Sequence, residues 1–116
     1  MKLRLSREEF DGLVEQAVAQ LPRIFREKLS NIAIEVADLP PHGERHGDPL
    51  MGIFEGVPMT EKSVFQTAGP DRVVIYQQNI ESVCRTRKEL VREIRLTLLH
   101  ELGHYFGLSE EELEDI

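Results

Sequence analysis

A single cysteine, apolar runs of only a few residues and no surplus of positive charge set the first limits on this 116-residue chain. Cys84 alone cannot form an internal disulfide, and such cysteine usage does not point to an oxidising compartment. The short apolar runs leave no segment able to span a bilayer. The N-terminus is basic through Lys2, Arg4 and Arg7 but leads directly into Glu8, Glu9 and Asp11, so it lacks the apolar stretch of a secretory signal. A cytoplasmic location is expected. The net charge of -7 argues against broad binding to nucleic acid or to an anionic membrane surface.

What the chain does contain is the balance of a soluble globular protein, 41% hydrophobic and 30% charged residues. Its length suits one domain with one core, spanning residues 1–116. Charge is unevenly spread. Arg85, Arg87, Lys88, Arg92 and Arg95 cluster in one stretch, and Glu110, Glu111, Glu112, Glu114 and Asp115 in another. A solvated helix face beside an acidic tail accounts for both.

Ser6 and Glu9 have the spacing of a capping box, and Phe10, Leu13, Val14, Ala17, Val18 and Leu21 recur at helical spacing. Residues 7–21 are therefore expected to form an amphipathic helix. Pro22 interrupts it, and a short helix is expected over residues 23–29. Ile32, Ile34 and Val36 alternate as in a strand, residues 39–49 read as a loop, and residues 50–55 suit a second strand. Residues 72–77, with Val73, Val74, Ile75 and Tyr76, carry the strongest strand signal, whereas residues 59–70 give none. Thr86 and Glu89 open a long helix through Phe106, with Leu90, Val91, Ile94, Leu98, Leu99 and Leu102 on its buried face. Gly107 should end it by taking a left-handed backbone angle, and Ser109 with Glu112 suggests one more short turn. The sum is an α+β domain with helices packed on a small mixed sheet.

The long helix contains His100-Glu101-Leu102-Gly103-His104. Histidines four apart share a helical face, so both imidazoles can reach one zinc ion, which tolerates an open fourth position. Glu101 can then serve as general base towards a metal-activated water, passing the proton on to the leaving amine. With 4 His in the chain, a shuffled sequence would contain this pattern roughly 2% of the time. Gly107, three residues past His104, lowers that to about 0.1% and gives the chain a place to turn back with a third ligand. The longer pattern of this kind places that ligand at Glu110, a carboxylate able to bind zinc. Glu111, His42 and His46 compete for the same role.

Three segments together resemble the minimal bacterial zincin-like metallopeptidases. They are Leu50-Met51-Gly52-Ile53-Phe54-Glu55-Gly56-Val57-Pro58, Pro70-Asp71-Arg72-Val73-Val74-Ile75-Tyr76, and the run from His100 to Leu108. The resemblance covers nearly the whole chain. It implies a compact zincin-like fold, zinc held by positions matching His100 and His104, and Glu101 as general base. The family looks like an aspartate-type zincin, and this chain has Glu110 at the aspartate position. Larger relatives keep a methionine turn beneath the metal, C-terminal to the motif. The methionines here are Met1, Met51 and Met59, all upstream, so another group must floor the site.

Other residues carry weaker signals. His42 and His46 stand four apart in a Pro/Gly-rich loop long enough to act as a lid, although a solvated loop is the simpler reading. Tyr76 and Tyr105 could donate to a developing oxyanion, although packed rings are commoner. Cys84 suits a small buried hydrophobe, and Gly52 with Gly56 suits strand and turn punctuation. The leading expectation is zinc-dependent hydrolysis of peptide or protein substrates. One alternative is a zinc staple without catalysis, which would normally need four protein ligands. The other is a metal-dependent RNA hydrolase, because the bacterial ribosomal-RNA maturation endonuclease has similar histidine spacing. Glu101 beside the first histidine, the carboxylate at position 110 and the acidic charge all point away from it.

Overall fold

The computed structural model describes residues 3–29, 32–41, 50–56, 71–109 and 111. In chain order its elements are helices α1 (Arg7–Ala19) and α2 (Arg23–Lys28), strands β1 (Ile32–Ala37), β2 (Gly52–Glu55) and β3 (Asp71–Tyr76), and helices α3 (Gln77–Ser82) and α4 (Arg87–Tyr105). This is the expected α+β arrangement, helices on a small mixed sheet. No helix among the described residues is long and apolar enough to cross a membrane.

The helix boundaries follow from local chemistry. Ser6 accepts from the Glu9 N–H while the Glu9 carboxylate takes the Ser6 N–H, the reciprocal capping box expected for α1. At α4, Thr86 accepts from the Glu89 N–H, but the Glu89 carboxylate reaches past it to the Arg85 N–H at 2.6 Å. The far end of α4 closes on Gly107 at φ 80°. There the Leu108 N–H donates to the Gly103 carbonyl at 2.8 Å and the Gly107 N–H to the His104 carbonyl at 3.0 Å. That pair of bonds is a Schellman motif, which reverses the chain immediately after the last histidine.

The sheet order is β1-β3-β2, with β1 parallel and β2 antiparallel to β3. Strand β3 takes the centre because its Val73-Val74-Ile75-Tyr76 run is buried on both faces, as a continuous apolar strand must be. Arg72 ties the three strands together, pairing with Glu35 of β1 at 2.9 Å and with Glu55 of β2 at 2.5 Å. Val73 and Ile75 face the main core, where they meet Phe10, Leu13 and Ala17 of α1 and Leu90, Ile94, Leu98 and Leu102 of α4.

Helix α3 was not expected: the sequence reads Gln77 as the end of a strand and gives no helical signal over the residues that follow. It has one apolar anchor, Ile80, and otherwise buries the polar side chains of Gln77, Asn79 and Glu81. Each has a main-chain partner. Gln77 donates to the Leu5 carbonyl at 2.9 Å, Glu81 accepts from the Leu5 N–H at 2.8 Å, and Asn79 donates to the Leu50 carbonyl at 2.8 Å.

Two measurements test this core. Leu98→Ala, at a fully buried position, is expected to lower unfolding free energy by about 2–5 kcal/mol in urea titration. Cys84 is a buried free thiol whose pKa is pushed up from 9.0 to about 11, first by burial and then by Glu93 and Glu89. A thiol held neutral in the fold stabilises fully below its unfolded pKa, and that contribution fades as pH rises. Stability should therefore fall between pH 9.0 and about 11, and the native thiol should react slowly with disulfide reagents at pH values where the unfolded chain reacts fast.

Candidate metal centre

The burial of α4 decides where its reactive side chains point. Leu90, Ile94, Leu98 and Leu102 are completely buried and Tyr105 nearly so. At 3.6 residues per turn, that phase turns His100 and His104 away from the core, and both are exposed. Their ring centroids lie 4.5 Å apart, with the planes at 68°. Two imidazoles bound to one tetrahedral zinc through nitrogens at about 2.0–2.1 Å place their ring centres about 5 Å apart. The helix thus holds the two imidazoles side by side on its exposed face, at a ring separation close to that of a shared ion.

Glu101 lies at the border between the buried and exposed stripes and is half-buried. Its Oε2 accepts from the main-chain N–H of Phe54, in strand β2, at 3.1 Å. Strand pairing explains why that N–H is available. The Tyr76 N–H donates to the Met51 carbonyl at 2.9 Å. By antiparallel alternation, Met51, Ile53 and Glu55 then pair with β3, while Gly52 and Phe54 turn their main-chain groups to the free edge. The Phe54 ring packs on Tyr105 with centroids 4.9 Å apart, clamping the same strand against the last turn of α4.

The structure therefore brings together three of the four residues expected at the site: His100, Glu101 and His104. Glu110, the expected third ligand, lies outside the described residues, as do His42 and His46 and the lid assigned to their loop. Glu111 is exposed. Among the described residues no group of three or more His, Cys, Asp or Glu is assembled for a metal. Tyr76 and Tyr105 are both buried. By strand alternation Tyr76 faces the side of the sheet opposite Val73 and Ile75, away from α4, and burial raises its hydroxyl pKa, with Glu55 adding to the effect. Tyr105 packs between Phe54 and Phe106.

Sequence reasoning missed the main chain of Phe54 as a partner of Glu101. A backbone donor leaves no residue-type signal. The only trace of it is the Gly52-Ile53-Phe54-Glu55-Gly56 run as a whole.

Comparison with known proteins bears on the same elements. Among solved structures, a conserved hypothetical protein from Thermo thermophilus has a similar fold, with a TM-score of 0.57 and 24% sequence identity. The alignment covers 88% of this chain and 94% of that one. No curated protein matches the chain. The profile of the zincin-like metallopeptidase family matches residues 29–116, which takes in all three strands, α3 and α4 with the histidine motif. The chain belongs to the zincin-like metallopeptidase family.

Proposed function

We propose that this protein hydrolyses peptide bonds with water, using zinc held by His100, His104 and, as third ligand, Glu110. The observation that carries the reading is the turn of α4 on which two imidazoles 4.5 Å apart flank a carboxylate fixed to the edge of the sheet. Zinc in that position would polarise the scissile carbonyl and acidify water. Glu101 removes a proton from the attacking water through its carboxylate and delivers it to the departing amine. Gly107 ends α4 at φ 80°, three residues before Glu110, and the sequence spacing of the motif supports Glu110 as the ligand that completes the set. The outer edge of β2, which no other described strand covers, supports an extended peptide adding itself as a further strand alongside Gly52. The single buried thiol fits a cytoplasmic setting.

The test combines metal analysis with turnover. Protein purified without added zinc should contain about one ion per chain, His104→Ala should contain none, and Glu110→Ala should bind zinc more weakly by an order of magnitude or more. Glu101→Gln should keep its zinc and lose about 10²–10⁴-fold in hydrolysis of a peptide library substrate. Full activity in Glu101→Gln would refute the mechanism, and a metal-free wild type after incubation with zinc would refute the site.

A further inference from the structure

Glycine at position 52 has a purpose other than backbone freedom. The glycines with left-handed angles among the described residues are Gly56 and Gly107, so Gly52 does not need its backbone to be unusual. What it needs is space. A Cβ at Gly52 would stand 2.8 Å from Thr97 Cγ2 and 2.9 Å from the Val74 carbonyl oxygen, both closer than real Cβ atoms come. Neither wall can easily give. Val74 O belongs to the central strand. Thr97 is buried, and its hydroxyl donates to the Glu93 carbonyl at 2.8 Å, which fixes the rotamer that points the methyl at β2.

Thr97 lies one helical turn before Glu101, and Gly52 lies two strand residues before Phe54. Two strand residues span about 6.7 Å and four helical residues about 6 Å, so the two pairs are in register. Gly52 rests on Thr97 just where Phe54 reaches Glu101. Relieving a 2.8 Å contact to the ordinary van der Waals distance of 3.4–4 Å would lift β2 by about 0.6–1.2 Å. The Phe54 N–H to Glu101 bond is already 3.1 Å long, near the upper end of the roughly 2.7–3.2 Å range for such bonds. The same lift would break it.

We infer that Gly52 is a positioning residue for Glu101, setting the height of strand β2 over α4 so that the Phe54 N–H holds the carboxylate beside the two histidines. The inference rests on the peptidase reading for its functional meaning, but not for its geometry. Gly52 touches no reacting atom. It acts through the strand, and the effect of a side chain there is transmitted to Glu101 rather than to the histidines.

The Phe54 amide reports the contact directly in ¹H–¹⁵N NMR spectra of the full chain, with or without zinc. Donation to a carboxylate should move its proton downfield and slow its exchange, and Glu101→Ala should abolish both. Gly52→Ala is expected to have the same effect at Phe54 while retaining the zinc stoichiometry of the wild type. Adding Thr97→Ser removes the methyl and keeps the hydroxyl, and should restore the Phe54 signal in part. With a cleavable peptide, Gly52→Ala should lower kcat by up to about 10²-fold with a smaller change in KM. If Gly52→Ala does not fold, Thr97→Ile presses on the same point from the helix side and is read in the same way. A Phe54 amide unmoved in folded Gly52→Ala overturns the inference, even if peptides are still cleaved. A Phe54 amide that shifts as expected upholds it, even if no peptide is ever cleaved and the peptidase reading falls.

Discussion

The burial of one face of α4 is the constraint on which the rest of the structure depends. Leu90, Ile94, Leu98 and Leu102 are removed from solvent entirely, against Phe10 and Leu13 of α1 and Val73 and Ile75 of β3. Burying four such side chains is worth about 1.5–3 kcal/mol each, far more than any surface contact could oppose. The rotation of the helix is therefore fixed by its leucines and isoleucine, and the direction of the histidines is a consequence. Turning the helix by one residue position would bury an imidazole and expose a leucine. The candidate metal site thus rests on the best-packed element of the chain, although its own side chains contribute almost nothing to that packing.

Strand β2 depends on the same helix from the other side. It is four residues long and, among the described residues, pairs with β3 alone, so that ladder by itself would hold it weakly. Three contacts with α4 supply the difference: Gly52 on Thr97, the Phe54 N–H on Glu101, and the Phe54 ring on Tyr105. They fall along two successive turns of the helix, so the strand and the motif are located by one another. The carboxylate gains a fixed position from the strand, and the strand gains an acceptor for a main-chain donor that would otherwise face the open edge.

Much of this was legible in the sequence because it follows from patterns with a period. The apolar stripe of α4, its Thr86 cap and its Gly107 stop identify the helix. The unbroken apolar run at β3 identifies the central strand, and His100, Glu101 and His104 fall together because helical spacing leaves no alternative. The boundary of β3 shifts by one residue, since Gln77 begins α3 instead of ending the strand. Helix α3 was not legible. Besides Ile80 its buried positions are Gln77, Asn79 and Glu81, which have no hydrophobic period and are satisfied by Leu5 and Leu50, neither of them near in sequence. The same limit hid Phe54 and Gly52. One acts through its main chain and the other through the atom it lacks, so neither leaves a mark that residue type alone can carry.

Among the described residues the two histidines stand on the exposed face of α4, beside one edge of the sheet. The two edges are not equivalent. On β1, the Arg7 guanidinium donates to the Val36 carbonyl at 2.8 Å and to Gln77 at 2.8 Å, and also pairs with Asp38. A cation held by three partners is a lasting block to strand addition at that end. On β2 the side chain at the edge is the carboxylate of Glu101, which accepts from the Phe54 N–H of that strand at 3.1 Å. On the proposed peptidase reading, a peptide lying along β2 would be next to the histidines. Arg7 thus occupies the outer edge of β1, and the outer edge of β2, beside the histidines, is the one that the proposed reading assigns to an extended peptide.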